Sequence, residues 1–297
     1  EVGGESGVGA EAAEQPVGHT MEGAPLDLLG GGPDQAFTAP DHLLGGSAGE
    51  ADAPPRPTPA GRKKLTSCAH APESVLVTGG GGFLGLAIVR ALAARGDRVR
   101  SYSRSVHAEL KALGIEQVCG DIADLRTLED ACAGMEAVFH TAAKPPPWGR
   151  TVDYHRTNVL GTQNVIAACR NTRVPRLIHT STPSVVFDGR DLEGVDECAP
   201  YPARHTAAYA ATKALAEQDV VAAADDRLRT IVLRPHEIWG PGDPHFAPRI
   251  IARAGRLRRI GNGRNRVDTT YIDNAAEAHL LAADALRDNP SLSGRVY

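Results

Sequence analysis

The sequence is short of three things, and each shortage removes a class of function. It has no surplus of positive charge: 32 Lys and Arg stand against 36 Asp and Glu, for a net charge of -4 and an isoelectric point near 6.3. A nucleic-acid surface needs clustered cations to release counterions, so no nucleic-acid partner is expected. It has no cysteine pairs: Cys68, Cys119, Cys132, Cys169 and Cys198 are odd in number and show no C-x-x-C spacing. They read as reduced structural thiols, and no metal site is expected. It has no long apolar run either. Nothing approaches the roughly 18 continuous apolar residues that a membrane-spanning helix requires, and residues 1–25 lack the apolar core of a secretion signal. A cytoplasmic protein is the expectation, with peripheral membrane or pathway-enzyme contact left open.

What is there divides in two. Residues 1–73 are rich in Gly, Pro, Ala and Glu and keep no period of 2 or 3.6, the composition of a disordered extension. Because the chain opens on Glu1 rather than Met, a fragment or an overextended reading frame is expected, with Met21 or a later point as the start. From residue 75 short β-branched runs alternate with alanine-rich segments. Strands are expected at residues 75–77, 99–102, 118, 137–140, 177–179 and 230–233, and helices at 83–94, 125–133, 153–170, 207–224 and 273–286. This alternation predicts an α/β fold with a doubly wound parallel sheet of Rossmann type over residues 74–297. The cofactor-binding core is expected mainly at 74–234 and a small substrate lobe mainly at 235–265.

Such sheets bind ligands at the carboxyl ends of their strands. The first strand runs into Thr78-Gly79-Gly80-Gly81-Gly82-Phe83-Leu84-Gly85, a G-x-x-G-x-x-G spacing that opens a helix. Gly79 suits a tight turn, Gly82 lets backbone approach a pyrophosphate, and Gly85 lets helix and strand pack closely. The helix amino end, from Phe83 and Leu84 onward, offers N–H groups and positive dipole to phosphate. About 20 residues later a dinucleotide fold usually carries a carboxylate for the ribose hydroxyls, but here stand Ser103-Arg104-Ser105. Arginine grips a 2'-phosphate where a carboxylate would repel it, so NADP(H) is favoured and NAD(H) remains an alternative. Asp121 and Ile122, closing the third strand, are placed at the adenine, although Asp121 equally suits a helix cap.

Tyr209 and Lys213 lie four residues apart, on one face of a predicted helix. The ammonium is expected to hold the nicotinamide ribose and to lower the phenol from its usual value of about 10, making a proton donor for carbonyl reduction. The fifth strand ends in the hydroxyl cluster Thr180-Ser181-Thr182-Pro183-Ser184. Thr182 is the first choice to polarise a carbonyl and Ser181 the second, unless both merely satisfy local backbone.

Together with His140-Thr141-Ala142-Ala143, Asn158-Val159-Leu160-Gly161-Thr162, Leu233-Arg234-Pro235-His236 and Trp239-Gly240-Pro241-Gly242-Asp243, these residues resemble the extended short-chain dehydrogenases, and within them the 3β-hydroxysteroid dehydrogenase branch. The resemblance implies that Ala142, Ala143 and Pro235 lie beside the nicotinamide. It also implies that the family continues beyond Tyr297, so part of the substrate lobe is expected to be missing, and that a homodimer is to be considered. Two groups look nearest, the 2-alkyl-3-oxoalkanoate reductases of olefin biosynthesis and the sterol-4α-carboxylate 3-dehydrogenases. Each acts at carbon 3 of a lipid whose carboxylate sits on the adjacent carbon. The Ser103-Arg104 pair leans toward the NADPH-using reductases, and the apolar, proline-rich residues 145–148 with Trp239 suit a lipid-like 3-oxo or 3-hydroxy substrate. Lys144 is the candidate partner of the substrate carboxylate, with Trp148 and Trp239 as apolar contacts, although a lysine at that place also suits a solvated surface. Nucleotide-sugar epimerases and dehydratases share the loop and the tyrosine and form a further alternative. A cofactor sensor or scaffold is the non-enzymatic one.

Overall fold

The computed structural model describes residues 71–297 apart from Pro147, His245 and Ile260. The expected disordered extension falls at residues 1–70 outside the described residues, while Glu73, expected at its end, is buried in the fold.

All five residues of β1 (Ser74–Thr78) are buried, as in a strand covered on both faces. Then follow α1 (Phe83–Arg95), β2 (Arg98–Ser103), α2 (Ala108–Ala112), β3 (Glu116–Cys119), α3 (Leu125–Cys132) and β4 (Ala137–His140). After β4 come α4 (Thr151–Tyr154), a π-helical stretch His155–Leu160, α5 (Gly161–Thr172) and β5 (Arg176–Thr180). A 3-10 turn at Pro183–Val186 precedes α6 (Ala208–Ala222) and β6 (Arg229–Leu233). The chain then forms β7 (Ile238–Trp239), α7 (Phe246–Arg253), β8 (Thr270–Tyr271), α8 (Ile272–Asp288) and β9 (Arg295–Val296).

Seven strands form one sheet in the order β3-β2-β1-β4-β5-β6-β9, every pair parallel. Strand alternation divides its apolar side chains between two cores. Leu76, Val138, Leu177 and Val232 pack on one face against residues of α3, α5 and α6, such as Leu128, Val165 and Val220. Val75, Val77, Phe139, Ile178 and Ile231 pack on the other against α1 and α8, through Ile88, Leu92, Ala283 and Leu286. At the amino edge Arg176 at the start of β5 donates from Nη2 to Glu73 Oε1 at 2.8 Å, both buried, which ties the entry of β1 to β5. The strand order turns at β1 and β4, and the crevice outside their carboxyl ends is where such sheets take ligands.

The six expected strands and five expected helices are present, with ends shifted by at most two residues, and β9 adds a seventh strand to the sheet. The five residues of α2 and the two-residue strands β7 and β8 are too short for periodicity to register.

Close packing of α1 on β1 requires Gly85: a Cβ there would stand 2.2 Å from the carbonyl oxygen of Gly79. Backbone cannot yield as a flexible side chain can, so Gly85→Ala is expected to destabilise the fold by about 1–3 kcal/mol. Urea unfolding followed by circular dichroism checks this.

Candidate active site

Gly79 takes the left-handed conformation, with φ of 72°, and a Cβ on it would lie 3.0 Å from the backbone of Ala142, just past β4. The loop thus presses against the end of β4 as only glycine can. Gly82 is the extended N-cap of α1 and supplies no side-chain cap, and the first turn carries no acidic residue. The helix amino end, from Phe83 and Leu84, therefore keeps the N–H groups and dipole suited to an anion. A dinucleotide pyrophosphate fits this cradle.

Ser103 ends β2 and its Oγ donates to Ser105 O at 2.9 Å, leaving Arg104 exposed beside it. Asp121, after β3, accepts from the Ala123 N–H at 2.9 Å and from Arg156 Nη1 at 2.8 Å. These bonds, the Ala123 N–H first, hold its carboxyl below the usual range, with Arg104 adding its charge. Asp121 is not the cap of the following helix. Asp124 is, accepting from the Arg126 N–H. Ile122 turns its side chain into the core, against Gly161, and so offers only backbone to a ligand.

The expected hydroxyl, phenol and ammonium side chains gather past β5. Thr182 caps the 3-10 turn, accepting from the Ser184 N–H at 3.3 Å, and it lies close enough to the Tyr209 phenol to lower it. Ser181, the second choice, has a buried Oγ without a hydrogen-bond partner among the described residues. Tyr209 and Lys213 do share a face of α6, but the expected lowering of the phenol is not what the site does. Burial pushes Tyr209 up, Thr182 pulls it down, and Glu237 and Tyr154 raise it further. The reason lies in Lys213, which is itself buried and directed at β5. Its Nζ donates to Thr180 O at 2.7 Å and to His179 Nε2 at 3.3 Å. Burial brings its pKa down to about 8, against the opposing charge of Glu217.

Lys144 is brought to this group. Its N–H donates to Asn158 Oδ1 at 2.7 Å, and its Nζ sits 5.4 Å from the centre of the Tyr154 ring. Tyr154 in turn meets Tyr209 edge-on, at 6.4 Å between centroids. The tryptophans are elsewhere. Trp148 is 85% exposed, and Trp239, in β7, packs against Tyr271 and donates to Thr269 Oγ1 at 3.2 Å. Ala142 and Ala143 follow β4, and Pro235 follows β6, at the carboxyl side of the sheet.

The sequence pattern of the 3-beta hydroxysteroid dehydrogenase/isomerase family matches residues 76–297. The chain belongs to that family. Among its relatives, a 2-alkyl-3-oxoalkanoate reductase of Stenotrophomonas maltophilia is 52% identical over 75% of this chain and 69% of its own length. A second, from Shewanella oneidensis, is 42% identical over 78% of this chain and 63% of its length. A mouse sterol-4-alpha-carboxylate 3-dehydrogenase, decarboxylating, is 36% identical over 78% and 65%. The chain thus spans about two thirds of these relatives. A solved structure of Thermus thermophilus UDP-glucose 4-epimerase with NAD superposes with a TM-score of 0.62 at 29% identity, over 75% of this chain and 76% of that one. Membership in the 3-beta hydroxysteroid dehydrogenase/isomerase family agrees with the parallel sheet and the strand-end cluster. Among the described residues no helix is long and apolar enough to cross a membrane.

Sequence reasoning passed over Asn158, His140, His179, His279 and Glu217 as site residues. Asn158 stood inside a recognised motif, and its Nδ2 also donates to Thr212 Oγ1 at 3.1 Å, so it links the segment after β4 to α6. His140 likewise stood inside a recognised motif, whereas His179 and His279 carried no signal, because each sits in an apolar strand or helix without a spacing that marks chemistry. They have a cost in acid. Burial lowers the pKa of His140 to about 3 and of His279 to about 4, against about 6.5 in the unfolded chain. A group with a depressed folded pKa binds its proton more readily when unfolded. The stability it contributes is complete above about pH 6.5 and is lost as pH falls toward the folded value, by about 1.4 kcal/mol per pH unit for each imidazole. Unfolding free energies measured from pH 7 to pH 5 should fall accordingly. In His279→Gln the slope should be shallower by one such increment, and an unchanged slope would mean that His279 is charged in the fold.

Proposed function

We propose that the chain is an NADP(H)-dependent reductase that converts the 3-oxo group of a 2-alkyl-3-oxo acid to the 3-hydroxy acid. The observation that carries this is the gathering of Tyr209, Thr182 and the buried Lys213 ammonium past the carboxyl end of β5, where Lys213 Nζ donates to the Thr180 carbonyl at 2.7 Å and Thr182 acts on the Tyr209 phenol. In such a site Tyr209 gives its proton to the oxygen of the ketone as the alkoxide develops, and the Thr182 hydroxyl donates to the same oxygen. A raised phenol pKa suits this direction, since it keeps Tyr209 protonated and able to act as an acid. Lys213 holds the charge that offsets the developing phenolate. A nicotinamide dinucleotide bound across the β1–β4 crevice supplies the hydride. Residues 74–234 form the part that binds it, and residues 235–265 contribute to a substrate lobe.

The substrate class rests on the relatives named as 2-alkyl-3-oxoalkanoate reductases and on Lys144. An ammonium resting on the Tyr154 ring, one aromatic contact from Tyr209, stands where a carboxylate adjacent to the reacting carbonyl would come. The NADP preference rests on the exposed Arg104, which follows β2 where a ribose-binding carboxylate would stand.

Turnover of a 2-alkyl-3-oxo acid, measured as NADPH oxidation beside a 3-oxosteroid and a nucleotide-sugar ketone, tests the reading. Tyr209→Phe should lower turnover by about 10²–10⁴-fold and leave NADPH binding, followed by fluorescence titration, unchanged. Loss of binding instead would remove Tyr209 from the proton step. Arg104→Asp should shift preference from NADPH to NADH. With Lys144→Ala the acid should suffer more than its methyl ester, and equal losses on both would discard carboxylate recognition.

A further inference from the structure

A buried ammonium needs acceptors for its protons, because its desolvation is otherwise uncompensated. Lys213 is 3% exposed. The carbonyl of Thr180 takes one proton at 2.7 Å, and the second bond points to His179 Nε2 at 3.3 Å. An ammonium only donates. Nε2 of His179 is therefore the bare nitrogen of the ring, and the ring proton sits on Nδ1. That Nδ1 is buried and has no hydrogen-bond partner among the described residues.

The neighbouring imidazoles follow a different rule, with both nitrogens used. His140 Nε2 donates to Thr162 Oγ1 at 2.9 Å, since the Thr162 hydroxyl is already committed to Asn158 O at 2.6 Å. His140 Nδ1 then accepts from Thr78 Oγ1 at 2.7 Å. His279 Nδ1 donates to Ala275 O at 2.7 Å, which leaves Nε2 to accept from Thr180 Oγ1 at 2.8 Å. Thr180 is thus pinned by α8 through its hydroxyl while its carbonyl holds Lys213. His179 alone of the three leaves an N–H unsatisfied, a cost of about 1–3 kcal/mol for a buried donor. The opposite tautomer would aim an N–H at the Lys213 ammonium.

We propose that His179 is a positioning residue for Lys213: its Nε2 and the Thr180 carbonyl fix Nζ at the end of β5 so that the third N–H faces the reacting side of α6. This rests on the reading of Lys213 as part of a reductase site. The charged and titratable groups around His179 are Lys213 on α6 with Glu217 one turn beyond, His140 on β4 and His279 on α8. Burial first, then the Lys213 charge, keeps the His179 ring neutral.

Two measurements test it. Imidazole 15N NMR on histidine-labelled protein, with the His179 signals assigned by their loss in His179→Gln, should show a neutral ring protonated at Nδ1 at pH 7. A ring protonated at Nε2, or at both nitrogens, would overturn the proposal. This readout needs no turnover, so it stands apart from failure of the reductase reading. The second compares His179→Phe with His179→Gln, whose Oε1 reaches the place of Nε2. The Phe variant removes an acceptor of the ammonium and should weaken NADPH binding about five- to tenfold, the effect of one lost hydrogen bond. It should also move the acidic limb of 3-hydroxy acid oxidation with NADP to higher pH. The Gln variant should restore both. Equal behaviour of the two variants, or a loss of stability with an unmoved pH profile, would make His179 a structural residue only. Should the Phe variant fail to fold, the tautomer decides.

Discussion

Lys213 carries a charge into a place closed to water, and the strands and helices around β5 are arranged to keep it there. The Thr180 carbonyl is available because β5 ends at that residue, where the ladder with β6 runs out and backbone acceptors face the site. Thr180 is held in turn by His279 of α8, so a helix following the proposed substrate lobe contributes to the placement of the ammonium. One turn beyond, Glu217 supplies a buried opposite charge. It is itself committed to Arg234, whose Nε lies 3.1 Å from both carboxylate oxygens, and to the hydroxyl of Tyr201 at 2.8 Å. The segment between β5 and α6 and the exit of β6 are thereby fastened to the helix that bears Tyr209.

The division of labour between the two ends of the sheet follows from this. At the amino edge, Glu73 forms ion pairs with Arg176 and Arg287 that close the fold. At the carboxyl edge most buried polar groups have partners, while Ser181 Oγ and His179 Nδ1 have none among the described residues. Glycine permits the β1–α1 turn to approach Ala142 at one side of the crevice, and hydroxyl groups line the other.

The central strands were legible in the sequence because a strand buried on both faces reads as an unbroken apolar run, and β1, β4 and β6 do so. The glycine loop was legible because its spacing has one structural solution between a strand and a helix. Tyr209 and Lys213 could be read together because four residues separate them on one helix, and Thr182 because it follows the end of β5. The direction of the Tyr209 shift was not, since it depends on where the Lys213 side chain finds acceptors, and those come from Thr180 and His179 some 30 residues earlier. His179 and His279 were silent for the same reason. A histidine among valines and isoleucines looks like an interruption until its two nitrogens are given partners. The Glu217–Arg234 pair belongs with them, as two charges far apart in sequence that share one burial.

The π-helical stretch His155–Leu160 also escaped notice, because α4 and α5 on either side continue the helical pattern. A π turn holds one residue more than an α turn, and it rotates everything before it relative to everything after. Tyr154 lies just before the stretch and Asn158 within it. The extra residue therefore sets the angle at which the Tyr154 ring meets Tyr209 while Asn158 still reaches Lys144 and Thr212. In evolutionary terms it acts as an insertion with a phase. A lineage that dropped a single residue here would keep its helix and its core, yet would turn the aromatic wall of the site by about 100°, one residue's share of a 3.6-residue turn.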